Sequence, residues 1–168
     1  MNNETFSWYN PGDEIPPLRK PRKLSKLKPK MSDHCKQRYI DAHQLSFSQA
    51  IKDAGHTFKA TMPDCNKANG LTQAIIKFLL WNGHRATRIS SSGRMIKGRY
   101  IPGTTRKGAA DISSTIKGKS VMWEVKIGND KPAPEQLREQ ELEIKAGGHY
   151  YFVKTFEQFL TIYDEQTR

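Results

Sequence analysis

The sequence predicts an α/β fold: a mixed sheet built in the order αβββαβ, closed by a final helix and preceded by a basic N-terminal extension. Three observations carry this. Leu71, Ile75, Phe78 and Leu79 recur at the 3.6-residue period of a helix with one apolar face. Residues 111–116 and 120–127 are short runs rich in strand-forming residues, set on either side of the turn dipeptide Lys117-Gly118. Pro134 and Gly147 bracket a segment in the way a helix demands, proline in its first turn and glycine past its end.

Taken in chain order, residues 1–35 hold Arg19, Lys20, Arg22, Lys23, Lys26, Lys28 and Lys30, with no acid between Pro16 and Lys30. Such a segment repels itself and has little to bury, so it reads as a flexible basic arm. It would engage phosphates by counterion release, or simply keep the chain soluble. Residues 36–65 read as an N-terminal extension with a short helix ending at Gly55 and capped by Ser46 or Ser48. The core is assigned to residues 66–168. Asn69 is the expected cap of its first helix and Gly83 its terminator. A strand over 84–90 follows, then a basic, glycine-bearing loop over 91–108 that holds Arg94, Lys97, Arg99, Arg106 and Lys107 and no acid. After the hairpin come a helix over 134–146 and a strand over 149–154. Thr155 and Gln158, at capping-box spacing, open a last helix to about Tyr163.

Composition narrows the partners. The 168 residues hold 28 Lys and Arg against 17 Asp and Glu, a net charge of +11. That surplus favours polyanions, nucleic acid first and an acidic membrane surface second. No run is long and apolar enough to span a membrane, and MNNETFSWYN lacks the apolar stretch of a secretory leader. Two cysteines, Cys35 and Cys65, fit a reducing compartment. His34, Cys35, His43, His56 and Cys65 match no usual zinc-ligand spacing, and buried cysteines with surface histidines are the expectation. Trp81 and Trp123 lie among apolar neighbours and are assigned to the core. Tyr150, Tyr151 and Phe152 read as strand packing, and His149 as a strand residue.

The chemistry concentrates in Val121-Met-Trp-Glu-Val-Lys-Ile127. Strand alternation sends Val121, Trp123, Val125 and Ile127 to one face and Glu124 with Lys126 to the other. A two-residue loop at Lys117-Gly118 sets Asp111 directly opposite Glu124; moving it to Gly118-Lys119 sets Asp111 opposite Lys126. Both registers gather two carboxylates and one ammonium, whereas a three-residue loop separates them. Two close carboxylates need a positive charge. Lys126 alone would supply it as a structural ion pair. A hard divalent cation fits the oxygen donors and the basic loop beside them better. Metal, carboxylates and ammonium are the parts that phosphodiester hydrolysis needs.

Gly108-Ala-Ala-Asp111, a spacer of twelve residues and Glu124-Val125-Lys126 resemble the motif of the PD-(D/E)XK phosphodiesterases, which have a restriction-endonuclease-like fold. Within them the sequence is most similar to the VRR-NUC group, including its short phage-type members. Gln136, Gln140 and Gly147-Gly148-His-Tyr-Tyr-Phe-Val153 extend the likeness, which covers residues 66–164. The resemblance implies that Asp111, Glu124 and the Val125 carbonyl hold Mg²⁺ or Mn²⁺, and that Lys126 is the catalytic lysine. It implies that Gln136 or Gln140 contacts the attacking water or a phosphate. The chain departs from the pattern where Ala110 replaces a proline. It departs again on the first core helix, where many members carry a glutamate and only Asn69, Thr72 or Gln73 is available here.

The reading that follows is a structure-selective DNA endonuclease acting on branched, flapped or Holliday-junction DNA as a homodimer, in the cytosol of a bacterium or phage-infected host. Arg94, Lys97, Arg99, Arg106 and Lys107 would carry the DNA backbone to the metal, joined by Arg85 and Arg88. The alternative is a catalytically weak or inactive nucleic-acid-binding module on the same fold, and a weaker third option is an adaptor for a host protein or membrane surface.

Overall fold

The computed structural model describes residues 31–47, 55, 60–89, 94–96, 98–101 and 106–168. Its elements are α1 (Asp33–Leu45), α2 (Ala68–Trp81), β1 (Arg85–Arg88), β2 (Arg94–Ile96), β3 (Arg99–Ile101), β4 (Ile112–Ile116), β5 (Lys119–Val125), α3 (Pro134–Lys145), β6 (His149–Val153) and α4 (Phe156–Thr167). The main sheet runs β1-β4-β5-β6, with β5 and β6 parallel and the other neighbours antiparallel. It is the mixed α/β sheet that the sequence predicts.

Lys117 and Gly118 both take positive φ, 47° and 81°, the combination a two-residue hairpin loop requires. Ile116 therefore faces Lys119, and Ile112 faces Trp123. One face of the sheet sends Ile112, Ile116, Val121, Trp123 and Val153 into a core completed by Leu71, Ile75, Phe78 and Leu79 of α2 and Phe156, Phe159 and Leu160 of α4. The Trp123 indole satisfies its N–H on the Ser114 hydroxyl at 2.8 Å, and Ser114 passes the bond to the Val121 carbonyl at 2.7 Å. A buried polar relay costs little when each member is bonded.

Two local expectations change. The assigned boundary at residue 35 falls inside α1, and the core begins before residue 66. Cys35, Tyr39 and Ala42 form one buried stripe of α1 against α2 and α4, and Arg38 clasps Asp164 through two bonds of 2.8 and 2.6 Å. The charge around that stripe hides its periodicity. Ser32 caps α1 and Ser46 closes it; apart from Gly55, the helix expected to end there under a Ser46 or Ser48 cap lies outside the described residues. Asn69 does not cap α2. Lys67 holds that position, and Asn69 sits within the first turn.

The basic segment expected as a loop contains a hairpin, β2 with β3, in which Ile96 pairs with Arg99. The final helix runs past Tyr163 to Thr167. Among the described residues no helix is long and apolar enough to cross a membrane.

Candidate active site

Strand alternation and the tight turn together build the site. Asp111 stands one step beyond the last paired residues of β4, opposite Glu124, and its Oδ2 accepts the Val125 N–H at 3.0 Å. The Ile89 N–H donates to the Asp111 carbonyl at 2.8 Å, fixing the same residue to the β1 side. Of the two registers left open by the sequence, the loop at Lys117-Gly118 is the one adopted.

Glu124 and Lys126 are only 5% and 6% exposed. Lys126 Nζ lies 3.2 Å from Glu124 Oε1 and 3.5 Å from Asp130 Oδ2. Burial first, and the Asp111 carboxylate second, push the Glu124 carboxyl above its ordinary range; Lys126 and Gln136 pull the other way. Gln136 also donates to Glu124 Oε1, while its own oxygen accepts the Ala133 N–H at 2.9 Å. The amide is thus locked between the start of α3 and the acid. Glu124 Oε2 is buried with no hydrogen-bond partner. A carboxylate oxygen held dry and unpaired beside a second carboxylate is what an oxygen-ligated cation would satisfy. The Asp111 and Glu124 carboxylates are oxygen donors of the kind such an ion takes. Among the described residues no three His, Cys, Asp or Glu side chains come together as a metal cage.

The other expected residues separate. Gln140 donates to the Tyr150 carbonyl at 3.0 Å, so its amide serves the edge of β6 rather than the carboxylates. Arg106 is exposed but paired with Glu139 of α3 at 3.2 Å. Lys107 is exposed. Arg94 and Arg99 lie on the backbone of β2 and β3, and Lys97 lies outside the described residues. His149 stacks on Tyr151 at 6.1 Å between ring centroids. Of the zinc candidates, Cys35 is buried and Cys65 half-buried, with the Cys65 thiol pushed up by burial to about 12.

Two residues at the site escape the sequence reading. Asp130 reaches Lys126 from the turn after β5, where its N–H bonds the Ile127 carbonyl at 3.2 Å. Its only signal was an acid four residues past the lysine, across Gly128. Tyr150 is buried, and its hydroxyl bonds the Gly108 carbonyl at 3.3 Å, steadying the loop that leads to Asp111. Burial first, then Glu124, Asp111 and Glu139, push its phenol up. Pairing with Met122, next but one to Glu124, puts it on the acidic face.

No family model matches the chain, and no curated protein does. A solved structure described as "VRR_NUC domain" is similar, with 27% identity and a TM-score of 0.43, over 58% of this chain and 96% of that one.

Proposed function

We propose that the chain is a metal-dependent endonuclease that hydrolyses phosphodiester bonds of DNA, selective for branched, flapped or junction structures, with Mg²⁺ or Mn²⁺ as its ion. The observation that carries this is the buried, unpartnered Glu124 Oε2, on the residue that stands opposite Asp111, with the Lys126 ammonium 3.2 Å from the other oxygen. Asp111, Glu124 and the Val125 carbonyl would hold the ion. Bound there, it would polarise a phosphoryl oxygen and acidify a water. Lys126 donates to the attacking water or the developing negative charge, and Asp130 keeps its ammonium in place. Gln136 fixes the Glu124 carboxylate in one orientation, so one oxygen stays available. Selectivity for structure over sequence follows from the lack of any recognition-helix or finger motif in the sequence. A homodimer would present two such sites to a branch point.

The test is incubation with labelled branched, flapped and linear DNA, with and without Mg²⁺ or Mn²⁺. Cleavage that requires the ion and disappears in Asp111→Ala and Lys126→Ala is the expected result. Equal cleavage by those variants defeats the proposal. The second reading, a binding module without activity, is favoured by the pairing of Lys126 with two carboxylates and by a first core helix, α2, that offers only Asn69, Thr72 or Gln73 and no carboxylate. DNA binding without cleavage under every ion would establish it.

A further inference from the structure

Strand register sorts the side chains of β1 and β4 between the two faces of the sheet. Ala86 pairs with Ser114 and Arg88 with Ile112 on the core side, where Arg88 Nη1 donates to Asn69 Oδ1 of α2 at 2.5 Å. Arg85 pairs with Thr115, and Thr87 with Ser113, on the side that carries Asp111 and Glu124. On that side α3 is bonded to β5 and β6. Over β1 and β4, Arg85, Thr87 and Thr115 stand exposed and Ser113 half-buried. Among the described residues none of these four side chains forms an ion pair or a side-chain hydrogen bond.

The strip thus offers three hydroxyls and one guanidinium, all free, with no carboxylate before Asp111 to repel an anion. From Thr115 to Asp111 it runs about 14 Å, the rise of about four nucleotides in one strand of a duplex. At its end lie Asp111 and the buried Glu124, whose Oε2 has no partner. Hydroxyls and guanidinium groups hold phosphate oxygens without reading bases. The net charge of +11 suits the same polyanion. We infer that Arg85, Thr87, Ser113 and Thr115 form a track for the sugar-phosphate backbone of the nucleic-acid strand that leads to the acid pair. The inference rests on the nuclease reading for the course of that strand.

The experiment measures binding of labelled branched DNA to the full chain in EDTA over a salt series, beside cleavage in Mg²⁺. Circular dichroism checks that each variant is folded. The triple variant Thr87→Val, Ser113→Ala, Thr115→Val should bind about ten-fold more weakly. Its slope of log K against log salt should not change, because hydroxyls release no counterions. Arg85→Ala should bind about five-fold more weakly and lower that slope by about one. Lys77 is an exposed cation of α2, on the core side of the sheet, and Lys77→Ala should stay within about two-fold of the parent. Equal losses for Lys77→Ala and Arg85→Ala, full affinity in the triple variant, or no measurable binding by the parent chain would overturn the inference. So would a parent dimer, seen by sedimentation without DNA, that the triple variant splits, since the face would then belong to a second copy. The two ideas fail separately. Binding with this pattern and no cleavage under any ion removes the nuclease and leaves the track. Ion-dependent cleavage with affinity unchanged in Arg85→Ala and in the triple variant removes the track and leaves the nuclease.

Discussion

Glu124 meets two opposed demands: it is buried almost completely, and it faces a second carboxylate. Folded proteins tolerate such repulsion where function needs it, at a cost in stability. Asp111→Asn removes the like charge while keeping an oxygen for the Val125 N–H. In EDTA it should melt up to about 3 °C above the parent. Mg²⁺ should raise the melting temperature of the parent and leave the variant unmoved, since a ligand stabilises only the form that binds it. Thermal melts at several Mg²⁺ concentrations check both; an equal rise in the variant would show that the ion binds elsewhere. At this scale much was legible. Period-2 alternation and a two-residue turn are local rules, and they bring residues 111, 124 and 126 to one face. Asp130 was not legible, because its reach to Lys126 depends on how the chain turns after the strand.

The elements are joined at a few tight points. Gly108 takes φ of 84°, and a Cβ there would lie 2.4 Å from the Glu135 carbonyl oxygen at the start of α3. Neither backbone can yield without moving Asp111 or Gln136. Gly108→Ala should cost about 1–3 kcal/mol and depress cleavage with it. Gly118→Ala, also at positive φ but with nothing within 4 Å, should cost about 1 kcal/mol and leave the site alone. Urea unfolding of the two variants separates space from backbone strain.

A second joint is His84, whose ring lies 3.1 Å from the Tyr163 hydroxyl of α4. Burial first, and Lys117 second, hold its imidazole below the ordinary 6.5. The unfolded chain takes up this proton near 6.5 and the folded one resists it, so stability falls as pH drops from there through the lowered folded value. Melting temperatures between about pH 7 and pH 5 should decline more steeply in the parent than in His84→Gln. A parallel decline would assign the acid sensitivity to other groups. Helix α2 was legible from its apolar period, α3 from Pro134 and Gly147, α4 from its Thr155 cap and the β4–β5 hairpin from its turn, all of them local signals. Helix α1 was hidden because three buried positions stand among charges, and β2 and β3 because three-residue strands are too short to show alternation.

Across the whole molecule the two faces of the sheet carry different burdens. One is sealed by α1, α2 and α4 over a continuous aromatic and aliphatic core. The other meets α3, which has no buried residue and attaches through Gln136 to Glu124, Gln140 to the Tyr150 carbonyl and Glu143 to Ser120. Stability should therefore reside on the first face and chemistry on the second. Phe159 is fully buried and touches the rings of Phe78, Trp123, Phe156 and Tyr163. Phe159→Ala should cost about 3–5 kcal/mol, a large share of the roughly 5–15 kcal/mol that holds a domain together. Gln140→Ala leaves the Tyr150 carbonyl to water and should cost about 1 kcal/mol. Denaturant midpoints of the two variants decide the matter. A midpoint for Gln140→Ala as low as that for Phe159→Ala would mean that α3 is part of the stabilising core, and the polar layer over the carboxylates would then hold the fold as well as the site.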